Sequence, residues 1–320
     1  MPFSPIAVRT DMAVEAREIV RGADAREVPG VRVRERAAGG VKVTEVTVTT
    51  DEGARLLGKP VGYYVTLDAP AFRERDPDVR SALTDATADV LAPLVARAKG
   101  EHVLVVGLGN WNATPDALGP RVVDRLLVTR HLAAFLPEDV RRRTRPVSAV
   151  APGVLGTTGI ETVDIVRGIV REIRPDLVVA VDALAARSVE RLMTSVQVTD
   201  TGIHPGSGVK NRRQGVTADS VGVPVVAVGV PSVVLASGIV QKALDLLADE
   251  LRDELMFAEI VEGMTAPERR QLVEEVVSPK MGALMVTPKE VDELIDDMAD
   301  VLAEALNRAL QPDLDRKEWA

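Results

Sequence analysis

The stretch Leu177-Val-Val-Ala-Val-Asp182 decides the fold, because five apolar residues run without polar alternation into a carboxylate. Such a run is typical of a strand that helices cover on both faces of a sheet. His102–Val106 and Val223–Val228 have the same mostly apolar character, and segments with helical spacing, such as Ile160–Ile173, lie between these strands. The alternation predicts an α/β fold with a mainly parallel sheet flanked by helices, whose core covers about residues 101–310.

A β-rich portion is predicted before this core, at about residues 30–70. Gly30–Ala37 and Val41–Thr49 alternate apolar and polar residues, and Ala38-Gly39-Gly40 between them is typical of a hairpin turn. Tyr63–Ala69 is a third candidate strand. We expect this portion to lie beside the α/β core.

Further elements are predicted from periodicity and from turn residues. Helical spacing predicts helices over 76–99, 119–135, 183–192, 232–254, 266–276 and 288–310. Ser195–Val198 is a candidate edge strand, and Gly229-Val-Pro231 predicts a turn before the helix that starts at Ser232. Because prolines and glycines interrupt the uncharged stretch 220–241, it is interpreted as buried core and not as a membrane span.

Composition excludes several classes of protein. The 320-residue chain has no cysteine, which excludes disulfide scaffolds, thiolate zinc sites and cysteine nucleophiles. A net charge of −9 and an aromatic content of 2% argue against direct nucleic-acid binding. The three histidines, His102, His131 and His204, are too far apart for an H-E-x-x-H metalloprotease. Met1–Val14 has no signal-peptide pattern, so a soluble, cytoplasmic protein that does not contact a membrane is expected.

Two aspartates are the leading candidates for a catalytic site. Ligands of open α/β sheets bind outside the carboxyl ends of the strands, which selects the segments Gly107–Leu118, Asp182–Arg187 and Thr201–Gly215. Asp116 precedes a predicted helix and Asp182 follows a strand, so each could instead be a helix N-cap. Two neighbouring carboxylates can share a proton, and one of them then acts as a base toward water. This arrangement suits peptide hydrolysis without serine, cysteine or metal.

Other candidates are weaker. Gly107-Leu-Gly109 lacks the third glycine of a dinucleotide site, since Asn112 stands there. Asp200 lies in Asp-Thr-Gly, the active tripeptide of pepsin-like proteases, but those proteins are all-β. His204 is either a third metal ligand beside the two aspartates or a structural, hydrogen-bonded histidine. Ser207 lacks the first glycine of a G-x-S-x-G nucleophile motif.

Seven blocks of sequence resemble one protein family. They are Arg9-Thr-Asp-Met-Ala-Val-Glu-Ala16, Val106-Gly-Leu-Gly-Asn110, Thr114-Pro-Asp-Ala-Leu-Gly-Pro120, Val154-Leu-Gly-Thr-Thr-Gly-Ile-Glu-Thr162, Val181-Asp-Ala-Leu-Ala-Ala-Arg-Ser188, Gly202-Ile-His-Pro-Gly-Ser-Gly208 and Met285-Val-Thr-Pro-Lys-Glu-Val291. In this order they are similar to the germination protease of spore-forming bacteria. Most are seven residues or longer and together they span nearly the whole chain, so the resemblance is specific.

The resemblance implies an endopeptidase of the spore core that starts the degradation of small acid-soluble spore proteins during germination. It implies an atypical aspartic peptidase without a cofactor, whose two essential aspartates fall on Asp116 and Asp182. Asn110 and Arg187 are possible supporting residues, together with Asp200 and His204. The implied fold is a phosphorylase/hydrolase-like one, similar to hydrogenase maturation proteases. A metal-dependent peptidase that uses the same carboxylates is the alternative, and a non-enzymatic binder of spore proteins is a third possibility.

Self-processing is also implied by the resemblance. Members of the family are tetrameric zymogens, which here predicts a homotetramer with a propeptide at residues 1–11, a cut at Asp11-Met12 and a single peptidase domain over residues 12–320. Asp11, Met12 and Glu15 fit the acidic-apolar-Ala-x-acidic cleavage site of the substrates, so the propeptide is expected to imitate a substrate. Two features depart from the family: the propeptide is short, and so is the stretch Glu250–Ala266.

Overall fold

One nine-stranded sheet organises the described part of the chain. The computed structural model describes residues 10–21, 27–97, 102–204, 214–236, 238–240, 243 and 284–314. The strands are β1 Val31–Ala38, β2 Val41–Val48, β3 Gly62–Asp68, β4 Val103–Gly107, β5 Val147–Val150, β6 Leu177–Ala186, β7 Ser195–Thr199, β8 Val225–Leu235 and β9 Met285–Val286.

The strand order is β1-β2-β3-β7-β8-β6-β4-β5, and β9 pairs with β8. Strands β5, β4, β6 and β8 are parallel neighbours, whereas every other pairing is antiparallel. The predicted α/β fold with a parallel core is therefore confirmed. The N-terminal strands do not lie beside this sheet, however, but extend it through β7.

The prediction that Ser195–Val198 forms an edge strand is wrong, because β7 lies inside the sheet. Val198 pairs with Val65 of β3 on one side and with Val228 of β8 on the other. Sequence periodicity cannot distinguish a central strand from an edge strand, since the difference is made by partners that are distant in sequence.

Nine α-helices have both ends within the described residues, and residues 236, 238–240 and 243 are also helical. The nine are α1 Ala13–Arg21, α2 Asp51–Leu57, α3 Pro77–Ala96, α4 Leu118–Asp124, α5 Glu138–Arg143, α6 Leu155–Thr158, α7 Thr162–Ile173, α8 Ala218–Val221 and α9 Val291–Leu310. Helix α3 begins as predicted, with the Asp76 side chain accepting the N–H of Asp78. Helices α1, α2, α5, α6 and α8 are not among the sequence predictions.

The two faces of the sheet explain the unbroken apolar runs. Val179 and Val181 of β6 belong to a core that includes α3 and α9. Val178 and Ala180 of the same strand belong to a second core that includes α7 and Met12. Because successive strand residues point to opposite faces, a strand buried on both faces requires apolar residues at every position.

Two predicted boundaries are wrong, and they matter for the site. Strand β6 continues to Ala186, where a helix over 183–192 was expected, because its pairing with β8 continues to the same residue. Strand β8 passes through the predicted turn at 229–231 without a break. The register shifts where Leu184 pairs with Pro231 and Ala185 with Val233, which leaves Ser232 as the extra residue of a β-bulge. A bulge tolerates a proline inside a sheet.

The predicted helix over 119–135 is also too long. Helix α4 ends at Asp124, because the following chain bonds elsewhere: the Leu127 N–H donates to Asn307 Oδ1 at 2.9 Å and the Thr129 N–H to the Val147 carbonyl at 3.0 Å. The helix predicted over 266–276, and most of that over 232–254, lie outside the described residues. Among the described residues, no helix combines the length and the apolar character needed to cross a bilayer.

Candidate active site

Asp182 lies inside β6, at the point where the neighbouring strand β4 stops. The last pair between the two strands joins Gly107 to Val181, so Asp182 is the first residue beyond that pairing. Its side chain is 4% exposed, and its Oδ1 accepts the N–H of Ala183 at 2.9 Å. The sequence predicts Asp182 either at the end of its strand or as a helix cap. It is neither. It is a buried carboxylate beside the end of a shorter strand.

Asp116 lies in the loop that follows β4, in a short 3₁₀ turn over Thr114–Asp116. Helix α4 has no side-chain cap bond, so Asp116 is not its cap. The Asp116 carbonyl accepts the N–H of Asn110 at 3.0 Å, which folds the loop back on itself. Gly109, at φ 115°, permits this bend, because an added Cβ would lie 1.9 Å from the Asp116 carbonyl oxygen.

Both aspartates line one cavity of about 520 Å³. Its lining residues are Asp11, Leu108, Gly109, Ala113, Pro115, Asp116, Val154, Thr162, Asp182, Ala183, Leu184, Ala185, Ser232, Val233, Met285 and Thr287. The bulged Ser232 hydroxyl donates to the Pro115 carbonyl at 2.5 Å and so ties β8 to the Asp116 loop. A mostly apolar cavity with a few convergent polar groups is typical of an active site.

The N-terminal segment enters this cavity at Asp11. The Asp11 N–H donates to the Ala185 carbonyl at 3.1 Å, and the Ala185 N–H donates to Asp11 Oδ2 at 2.9 Å. Ala185 lies three residues beyond Asp182 on β6. One backbone bond and one side-chain bond therefore hold the segment against this strand.

The carbonyl of Asp11 is held by two side chains. Lys59 Nζ donates to it at 2.9 Å and Gln197 Nε2 at 3.0 Å. Gln197 Oε1 also accepts the N–H of Ala13 at 2.6 Å, so one amide spans the Asp11-Met12 bond. Burial lowers the pKa of Lys59, and the charges of Asp11 and Glu15 oppose that shift.

Glu15, on the first turn of α1, is buried, and its carboxylate accepts several hydrogen bonds. Its carboxylate accepts the backbone N–H groups of Arg187 at 2.8 Å and Ser188 at 2.9 Å, and it lies 3.4 Å from Arg191 Nη1. The Thr10 hydroxyl donates to it as well. These bonds fix α1 to the chain that follows β6, and thereby fix the position of Asp11.

The four supporting candidates are placed differently. Asn110 organises the Asp116 loop, since its Oδ1 accepts the Asn112 N–H at 3.0 Å. Arg187 lines a separate cavity with Glu15. Asp200 accepts the Tyr63 N–H at 2.8 Å and pairs with Arg97 at 3.4 Å, so it does not line the cavity of the two catalytic candidates.

His204 lines a small cavity of about 60 Å³ together with Asp11, Lys59 and Gln197. Burial and the nearby Lys59 charge lower its pKa, and Asp11 opposes that shift. The structure does not bring His204 together with the two aspartates: within the described ranges, no three His, Asp or Glu side chains form a cluster that could hold a metal ion. Ser207 lies outside those ranges.

Sequence reasoning missed Lys59 and Gln197 as parts of the site, and it named Glu15 only as part of the cleavage pattern. Gln197 carries a weak signal, because it is the polar residue between Val196 and Val198 in a buried strand. Lys59 follows Gly58, which ends α2 in the left-handed conformation at φ 64°, but that pattern indicates only a helix end.

Comparison with known proteins identifies close relatives of the chain. A model of the germination protease family matches residues 7–259 and 248–320. The chain is 48% identical over 317 residues to a germination protease of Caldanaerobacter subterraneus subsp. tengcongensis, covering 98% of this chain and 97% of that protein. It is 40% identical over 317 residues to a germination protease of Clostridium tetani, covering 98% of each. It is 44% identical over 343 residues to a germination protease of Bacillus subtilis, covering 95% of this chain and 93% of that protein.

Among solved structures, a [NiFe] hydrogenase maturation protease, HycI from Thermococcus kodakarensis, matches with a TM-score of 0.34 at 16% identity. The match covers 67% of this chain and 98% of that chain.

Proposed function

Because this chain belongs to the germination protease family, we propose that it is a self-processing endopeptidase that starts the degradation of small acid-soluble spore proteins. Residues 1–11 are the propeptide, and the chain cuts itself between Asp11 and Met12. Asp116 and Asp182 form the catalytic pair. The enzyme works in the cytoplasm of the spore core as a homotetramer, and its substrates are the spore proteins.

One observation supports the catalytic pair above all: Asp11, Asp116 and Asp182 line the same cavity. The residue before the proposed cut and the two proposed catalytic carboxylates therefore meet in one space. One backbone bond and one bond through the Asp11 carboxylate, both to Ala185, hold the segment on the strand that carries Asp182. A substrate segment with an acidic and then an apolar residue can bind in the same way.

The chemistry follows from two carboxyl groups and one water molecule. One carboxylate takes a proton from the water, and the hydroxyl adds to the Asp11 carbonyl carbon. The tetrahedral intermediate collapses, the carbon–nitrogen bond breaks, and the carboxylic acid gives a proton to the Met12 nitrogen. The products are a new carboxylate at Asp11 and a new amino group at Met12. We assign these two roles to Asp116 and Asp182, since both line the cavity that Asp11 enters.

Cleavage of a purified small acid-soluble spore protein tests this proposal. Asp116→Asn and Asp182→Asn should each lower the rate by at least about 10³-fold with an unchanged fold. Asp139→Asn, at an exposed position of α5, is the matched control and should cleave normally. Near-normal turnover in either of the first two variants contradicts the catalytic pair. A chelator that stops the wild type, with rescue by a divalent ion, would instead support the metal-dependent alternative.

A further inference from the structure

We infer that Lys59 and Gln197 bind the carbonyl oxygen of the peptide bond that is cut and stabilise the negative charge that develops on it. This inference rests on the proposed cut between Asp11 and Met12. It adds a second pair of catalytic residues to the aspartates: a cation and an amide that act on the oxygen, while the carboxyls act on water and on the leaving nitrogen.

The contacts of the two side chains converge on this bond. Lys59 Nζ and Gln197 Nε2 lie 2.9 and 3.0 Å from one atom, the Asp11 carbonyl oxygen, which are ordinary hydrogen-bond distances. The second atom of the Gln197 amide accepts the N–H of Ala13 at 2.6 Å, which fixes the orientation of the amide. Both side chains bind backbone and not side-chain atoms. The same hydrogen bonds are therefore available to any substrate segment in this register.

Strand register places this pair near Asp182. Gln197 pairs with Gly229, and Gly229 pairs with Asp182 on its other side. The three residues therefore form one row across β7, β8 and β6, and their side-chain positions share a face of the sheet. At two strand spacings, the Cα atoms of Gln197 and Asp182 are about 10 Å apart.

Gly229 leaves the middle of this row without a side chain, and Leu184 covers it: an added Cβ would lie 2.5 Å from Leu184 Cδ1. Leu184 lines both the large cavity of the aspartates and the small cavity of Lys59 and Gln197. Asp11 also lines both. The residue whose carbonyl is attacked thus bridges the two groups of catalytic side chains.

Lys59 is held in place for this role. Its backbone N–H donates to the Ala54 carbonyl at 3.2 Å, and the next residue, Pro60, accepts the Tyr64 hydroxyl at 2.8 Å. Its ammonium also donates to the Thr10 carbonyl at 3.1 Å. Donors that are fixed before the reaction stabilise an oxyanion without the cost of reorganising solvent. Lys59 and Gln197 only donate hydrogen bonds in this role and transfer no proton, so the balance of the hydrolysis is unchanged.

Self-cleavage of the full-length chain tests the inference, with the first-order rate followed by intact mass. Lys59→Met removes the cationic donor, Lys59→Arg keeps one, and Gln197→Glu keeps the acceptor for Ala13 but removes the donor to Asp11. The exposed Lys42→Met, whose ammonium pairs with Glu35 at 3.2 Å, is the matched control. We expect a loss of about 10²–10³-fold for Lys59→Met and Gln197→Glu, partial rescue by Lys59→Arg, and no change for Lys42→Met.

Hydrogen exchange separates catalysis from simple anchoring. Each variant is also made with Asp182→Asn, so that the chain stays uncut, and exchange in residues 10–16 is measured. Slow cleavage, with protection of this segment equal to that in Asp182→Asn alone, supports the inference. Unchanged cleavage, or protection lost in proportion to the rate, overturns it, because the side chains would then only anchor the segment. Failure of the wild type to cut at Asp11-Met12 would instead remove the proposed self-processing itself.

Discussion

Asp11 makes two hydrogen bonds to Ala185, which lies three residues beyond Asp182 on β6: the Asp11 N–H donates to the Ala185 carbonyl at 3.1 Å, and the Ala185 N–H donates to the Asp11 carboxylate at 2.9 Å. The N-terminal segment is therefore part of the fold, since Met12 is fully buried and belongs to the second core. A bond proposed for cleavage thus lies inside the structure and not in an exposed arm.

Glu15 is predicted to hold this segment. In a chain kept uncut by Asp182→Asn, Glu15→Gln should lower the free energy of unfolding by about 1.5–3 kcal/mol, because an amide cannot accept all the donors that converge on the carboxylate. Urea denaturation measures the change. Glu18→Gln on the same helix is the control: Glu18 is exposed and pairs with Arg191, so its loss should cost less than about 1 kcal/mol. Equal effects would contradict a special role for Glu15.

Gly109 is predicted to set the position of Asp116. Gly109→Ala should cost about 1–3 kcal/mol through strain at φ 115°. It should also slow self-cleavage by about 100-fold, because the added Cβ displaces the Asp116 backbone. Gly168→Ala, in open space within α7, should instead stabilise the protein by about 0.5–1 kcal/mol and leave the rate unchanged. A Gly109→Ala variant with the wild-type rate would show that the loop does not control the reaction.

Asp200→Asn should retain measurable activity on spore proteins. Its carboxylate binds Tyr63 and Arg97 and does not line the cavity of the other two aspartates, so the expected cost is confined to stability. Turnover and the melting temperature, measured side by side, check this. Complete loss of turnover in a folded variant would return Asp200 to the site.

Lys59 should give the stability a recognisable pH dependence. Its pKa in the folded protein lies below 10.5, so between the two values the unfolded chain binds more protons. Stability contributed by this group therefore rises with pH through that window. The free energy of unfolding of the wild type, relative to Lys59→Met, should increase as the pH rises toward 10.5. If the free energy of unfolding of the two proteins changed in parallel with pH, burial would not lower the pKa of Lys59.

The α/β core could be predicted from the sequence because burial on both faces leaves a direct signal. Leu177–Val181 has no polar residue, and only a strand between two layers requires that. The continuation of β6 through Ala183–Ala186 could not be predicted in this way. Its small apolar residues are compatible with a helix or a strand, and the partner strand β8 decides between them.

The two pairs of proposed catalytic residues also differ in whether the sequence alone reveals them. Asp116 and Asp182 can be found from the sequence, since each is a carboxylate next to a buried strand. Lys59 and Gln197 cannot, because their bonds to Asp11 join residues 48 and 186 positions apart. Contacts of this kind leave no local pattern, and they become visible only when β3, β7 and α1 are assembled.

The most direct test of the account is the N-terminal sequence and intact mass of the full-length chain after incubation, for the wild type and for Asp182→Asn. The account predicts that the wild type begins at Met12 while Asp182→Asn keeps its full mass and its melting behaviour. A wild-type chain cut at any other bond, or an Asp182→Asn chain that also begins at Met12, would contradict the claim that Asp182 cleaves the Asp11-Met12 bond.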